Sequence, residues 1–166
     1  MKTLFLLRHA KSSWSDTNLA DFDRPLNDRG LRTAPQMGEL MKSRGYLPDV
    51  VVSSPAARAR HTAELAAEAA GIRERLRFDP RIYEASPHTL LDITNSINDS
   101  LSSEMLVGHN PGMEGFVRLL TGAVERMPTA ALAVIELAVD SWRDVSQGRA
   151  QLVEVIRPKE VFGSTE

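Results

Sequence analysis

Short apolar runs rich in β-branched residues alternate with amphipathic helical stretches along most of this chain. A strand followed by a helix and then by another strand tends to run parallel to its successor, because the helix carries the chain back across one face of the sheet. The order therefore predicts an α/β fold, a three-layer sandwich whose mostly parallel central sheet has helices on both faces. At 166 residues the chain suits one such domain, expected over residues 1–158, with residues 159–166 as a flexible tail.

The first run, residues 3–7, is apolar apart from Thr3 and ends in Arg8 and His9. A helical pattern follows to about Arg44, with Leu31, Ala34, Met37, Leu40 and Met41 on one face and Gly45 placed to stop it. Pro35 inside that pattern implies either a kink or a helix start near Thr33. Residues 49–53, with consecutive Val50, Val51 and Val52, read as a buried strand. Ser54 and Pro55 then supply a cap and a first-turn proline for an alanine-rich helix, and Ser86 with Pro87 repeats the signal for a helix burying Leu90, Leu91, Thr94 and Ile97. Residues 76–78 predict a short strand and residues 104–108 a longer one, which turns at His109, Asn110 and Pro111 into a helix. Residues 131–137 and 150–156 predict an antiparallel C-terminal hairpin. The polar stretch 11–29, with Trp14, Asp21, Asp23 and Pro25, is expected to be a long loop over the top of the sheet, where long loops tend to line sites.

Charge and composition remove several function classes. A formal net charge of -2 offers no clustered positive field for nucleic acid or anionic lipid, so no such partner is expected. With no cysteine there is no disulfide, thiolate metal site or cysteine nucleophile. The N-terminal apolar run is too short for a signal-peptide core and is interrupted by Arg8, and no run is long enough to cross a membrane, which predicts a soluble, cytoplasmic protein. His61 and His88 tempt one to build a metal site with His9 and His109, but their spacing matches no known ligand set; both are expected at the surface, with neither metal nor cofactor.

Three strand ends carry groups suited to a phosphate: Arg8 with His9, then Ser53-Ser54-Pro55 leading to Arg58, and finally His109. Parallel strands joined by right-handed crossovers end on the same side, so these distant residues are expected to converge on one crevice. Arg58 would stand in the first turn of its helix, where backbone donors and the helix dipole already favour an anion and a planar guanidinium can grip two oxygens at once. Taken singly, Arg8 could be a surface ion-pair partner of Asp21 or Asp23, and Trp14 a stacking platform or a pin for its loop.

In these pieces the chain resembles the histidine phosphatase superfamily, with its phosphoglycerate mutase-like fold. The matching segments are Leu7-Arg8-His9-Ala10, Arg24-Pro25-Leu26-Asn27-Asp28-Arg29-Gly30, Ser53-Ser54-Pro55 with residues 58–62, and Val107-Gly108-His109-Asn110-Pro111. The resemblance implies that His9 is a nucleophile that becomes phosphorylated, that Arg8, Arg58 and His109 hold the phosphoryl group, and that Glu84 is the candidate proton donor. It departs from the family at Ala10, where a glycine is usual. The short length, without a large insertion before residue 104, resembles the compact SixA-type branch. That implies a metal-independent phosphatase acting on protein phosphohistidine or on small phosphoesters. The alternatives are a mutase-like phosphotransferase and a weakly catalytic phosphate-binding module.

Overall fold

The N-terminal apolar run becomes strand β1 (Lys2–Arg8), and its Leu4, Leu6 and Leu7 have no solvent exposure. Only a strand with neighbours on both edges and helices over both faces is sealed in this way. Burying each leucine contributes about 1.5–3 kcal/mol, which makes β1 the axis of the fold. The structure, a computed structural model, describes residues 1–163. The remaining strands are β2 (Val50–Ser53), β3 (Leu76–Phe78), β4 (Ser103–Gly108), β5 (Leu132–Leu137) and β6 (Ala150–Ile156), in the sheet order β3-β2-β4-β1-β5-β6. The first four strands in that order run parallel, and β5 and β6 form the antiparallel hairpin at one edge.

Five helices lie on the two faces: α1 (Asp28–Ser43), α2 (Ala57–Ala69), α3 (Pro87–Asn95), α4 (Gly112–Thr121) and α5 (Pro158–Phe162). Alternation along the strands splits the core in two. Phe5, Leu7, Met105, Val107, Leu132 and Val134 face α1 and α2, whereas Leu4, Leu6, Leu106, Ala133 and Ile135 face α3 and α4. The first layer is built from small residues. A Cβ on Gly38 of α1 would stand 2.2 Å from the Ala66 carbonyl of α2, so the two helices approach as closely as they do only because that position is bare. The three-layer arrangement is the expected one.

Four local expectations are settled or corrected. Helix α1 starts at Asp28 and not near Thr33, because the Asn27 side chain accepts a hydrogen bond from the Gly30 amide and caps it; Pro35 lies inside the helix. There it forgoes one backbone bond while Thr33, Ala34, Met37 and Met41 around it remain buried. Leu31 was expected on the inner face but is 40% exposed. Ser54 is not the cap of α2, which begins at Ala57 after Ala56, with no side-chain cap bond. Finally, part of the expected flexible tail, residues 159–162, belongs to α5, where Pro158 supplies a preset first turn and Phe162 packs against the core; residues 164–166 lie outside the described residues.

Candidate active site

Strand register brings the chemistry together. Arg8 lies beside Gly108, and Val107 lies between Leu7 on one side and Ser53 on the other, so β1, β2 and β4 stop at one level. The residues that follow, His9, Ser54 and His109, therefore emerge side by side. The His9 and His109 rings are 5.2 Å apart between centroids, tilted by 52°.

His9 is 6% exposed, and its Nδ1 lies 2.7 Å from the Ala10 carbonyl oxygen. A carbonyl only accepts, so Nδ1 carries the proton and Nε2 keeps its lone pair. Burial, reinforced by His109, Arg58 and Arg8, pushes the His9 ring down to about 3, which leaves it neutral across the physiological range. Ala10 itself is held by its amide, which donates to Thr62 Oγ1 at 2.9 Å, while the Thr62 hydroxyl donates to the Arg58 carbonyl at 2.7 Å. One threonine thus ties the turn after His9 to the first turn of α2. Ala10 is fully buried in ordinary backbone, so the site accommodates alanine where the family resemblance leads one to expect glycine.

His109 Nε2 lies 2.8 Å from Ser54 Oγ. The Ala56 amide donates to that same oxygen at 3.2 Å, so Ser54 joins the His109 ring to the start of α2. The ring's Nδ1 is buried without a partner, and burial followed by the Arg58 charge lowers the ring to about 4. Arg8 donates from Nη1 to the Met127 carbonyl at 3.0 Å, and its Nε is also buried without a partner. The Met127 segment is fixed in turn by Glu114, which accepts from the Met127 amide at 2.7 Å and from Asn110 Nδ2 at 2.9 Å. Arg8 therefore does not pair with Asp21 or Asp23. Its charge is balanced from the side by Glu114.

Arg58 takes the aspartate instead. Its Nη1 donates to the Asp21 main-chain oxygen at 2.7 Å and Nη2 to the Asp21 carboxylate at 3.0 Å, while Nε is buried and unpartnered. Tyr83 donates its hydroxyl to the same carboxylate at 2.6 Å, and Arg24 Nε donates to its other oxygen at 3.2 Å. These bonds, that of Tyr83 first, hold Asp21 down at about 2. Arg24 is buried between Ser12 and the Trp14 ring, whose centroid is 3.4 Å from the guanidinium carbon. Trp14 thus pins the long loop through a cation–π contact. The base of that loop is closed by the Asn27 amide on the Lys11 carbonyl, and a Cβ on Gly30 would stand 2.2 Å from that carbonyl oxygen.

Asp21, Arg58, Tyr83, Glu84 and His109 line a cavity of about 710 Å³ whose far wall is the bare backbone of Gly112 and Gly115 with Pro87 and Pro111. Arg8 and His9 are not among its wall residues. Glu84 is exposed on the rim with φ of 58°, a left-handed conformation that a side-chain-bearing residue seldom holds. The other described non-glycine residue with positive φ is Ala130, whose amide donates to the carbonyls of both Arg8 and His9. Both strained positions therefore border the same site. His61 is half-buried and His88 exposed, and among the described residues no group of three potential ligands stands close enough to hold a metal ion.

The arrangement joins two neutral imidazoles to buried guanidinium groups, with unpartnered nitrogens on Arg8, Arg58 and His109. Such a setting suits an anion with several oxygens. Sequence reasoning missed Asp21, Tyr83, Ser54 as the partner of His109, and the Glu114 brace. Asp21, Ser54 and Arg24 lay within segments already singled out, each on other grounds.

Residues 4–111 match the profile of the histidine phosphatase superfamily, branch 1. An uncharacterised protein of Mycobacterium tuberculosis is 35% identical over 158 residues, covering 89% of this chain and 96% of its own. The crystal structure of a protein assigned as the phosphohistidine phosphatase SixA of Agrobacterium tumefaciens superposes with a TM-score of 0.81 at 32% identity, covering 95% of this chain and 98% of that one. A 2,3-bisphosphoglycerate-dependent phosphoglycerate mutase of Streptomyces avermitilis is 48% identical over 69 residues, 40% of this chain and 27% of the mutase. No helix of the described residues is long and apolar enough to cross a membrane.

Proposed function

The chain belongs to the histidine phosphatase superfamily, and from that membership we propose that it is a phosphatase working through a phosphohistidine on His9. The observation that carries this reading is the single tautomer of His9: with Nδ1 bound to the Ala10 carbonyl and the ring neutral, Nε2 offers a lone pair beside His109 and the two arginines. Nε2 attacks phosphorus as the bond to the leaving group breaks, and the phosphoryl group passes to the ring. Arg8, Arg58 and His109 compensate the charge on the equatorial oxygens, each with a nitrogen not committed to the protein. Glu84 gives its proton to the departing atom. It then takes one back from the water that attacks the phosphohistidine, which restores His9 and releases inorganic phosphate.

The substrates we infer are protein phosphohistidine and small phosphoesters. The likeness to the Agrobacterium tumefaciens protein supports the first, and a cavity large enough for a side chain on a folded partner supports both. A mutase would have to keep water from the phosphohistidine, and the match to the Streptomyces avermitilis mutase spans 27% of that enzyme.

The test is turnover of an aryl phosphate and of a phosphohistidine-bearing protein domain, with and without EDTA, by wild type and His9→Ala. Hydrolysis that survives chelation and vanishes in the variant is expected. Phosphate binding without turnover in wild type would instead make the protein a binding module.

A further inference from the structure

Asp21 holds the arginine that the phosphoryl group needs. Its main-chain oxygen and its carboxylate engage both terminal nitrogens of Arg58, and the Tyr83 hydroxyl fastens the carboxylate in place. The two cations it touches, Arg58 and Arg24, are each 7% exposed, whereas its own side chain is half exposed and lines the cavity. His9 is nearly covered and does not line it. A carboxylate on Nη2 of a buried guanidinium at the mouth of an anion site occupies a donor that a second phosphoryl oxygen would use beside the free Nε. It also repels any dianion that arrives while it stays.

We propose that Asp21 is a resident anion which the phosphoryl group displaces from Arg58, so that substrate binding and phosphate release are both exchanges with this carboxylate. This rests on the phosphatase reading above. Arg24 makes the exchange feasible, because its Nε already holds the other carboxylate oxygen and can keep Asp21 after Arg58 lets go. The long loop that carries Asp21 stays anchored meanwhile by the Ser12 to Leu26 bridge and by Trp14 on Arg24. Where a competitor occupies a site, the apparent dissociation constant of every ligand is its intrinsic value divided by the open fraction. Asp21 thus weakens substrate and product alike, and its return to Arg58 clears inorganic phosphate from the site.

The test is calorimetric titration of inorganic phosphate into wild type, Asp21→Asn and Tyr83→Phe, with a thermal melt of each. Asp21→Asn should bind phosphate about tenfold tighter, the factor expected when the competitor holds about nine sites in ten. Tyr83→Phe, which loosens the carboxylate without removing its charge, should tighten binding by a smaller factor. The KM for an aryl phosphate should fall in the same order. Weaker or equal phosphate binding in Asp21→Asn would overturn the proposal, since Asp21 would then only prop Arg58 in place. Should that variant not fold, weaker or equal binding in Tyr83→Phe overturns it. Absence of turnover in wild type would remove the phosphatase reading, yet the phosphate titrations would still decide whether Asp21 and phosphate exclude each other.

Discussion

At the end of the sheet where β1, β2 and β4 stop, the buried polar atoms without partners are nitrogens: Arg8 Nε, Arg58 Nε and His109 Nδ1. At the opposite end they are the two carboxyl oxygens of Glu104, the second residue of β4, which has no exposed surface. The lysine at that end, Lys2, is satisfied by the carbonyls of Asp99 and Leu101. The difference lies in what can reach the unpartnered atoms. Of the first group, Arg58 and His109 line a cavity of about 710 Å³, from which an anion can reach them. Glu104 is sealed beneath Thr94, so only a proton can. Burial pushes its acid up to about 8, with the neighbouring Thr94 hydroxyl offsetting part of the rise. One end is built for a ligand, the other for neutrality.

The sharpest way to break this contrast is to remove a cation from the ligand end. Arg58→Ala should lower kcat/KM for an aryl phosphate by roughly 10²–10³, the scale set by losing a preorganised donor to a developing anion. A loss below about tenfold, far short of that scale, would mean that the guanidinium is merely structural. Glu84→Gln should cost about 10² on an alkyl phosphate, whose leaving oxygen needs a proton, and clearly less on an aryl phosphate. Equal losses on the two would remove Glu84 from the reaction while leaving the clamp intact.

The smallest effect separates the two ends by pH. Folded Glu104 keeps a proton that the unfolded chain gives up near 4.5, so stability should fall as pH rises from 4.5 to about 8. His9 and His109 have the opposite sign: below 6.5 the unfolded chain takes protons that the folded rings refuse until about 3 and about 4 respectively, so stability should fall on acidification. A maximum near pH 6.5 follows, with an alkaline limb of about 1 kcal/mol per pH unit. Denaturant melts of Glu104→Gln should lose that limb and keep the acid one. A variant with an unchanged alkaline limb would contradict a protonated Glu104.

The sequence made the ligand end legible because strands of consecutive apolar residues have sharp ends, and parallel strands put those ends on one level. Arg8, His9 and His109 were readable for that reason, and Arg58 through the helix that β2 leads into. Asp21 was not, since it meets Arg58 across 37 residues and Tyr83 across 62, through a loop whose path no periodicity encodes. Glu104 was hidden differently. A charged residue at a strand start reads as exposed, and its burial depends on a register that sets it between Leu4 and Val50. The start of α1 stayed open for a local reason: Pro35 permits either a kink or a later start, and the Asn27 cap with the buried face around Pro35 decides for Asp28.

The most direct measurement is to quench the enzyme during turnover of a phosphorylated substrate, digest it at alkaline pH, and locate phosphate by mass spectrometry. Phosphate on His9, stable to base and lost in acid, is the result required by an imidazole aimed at phosphorus. Turnover with phosphate on no residue, or on one other than His9, would contradict it.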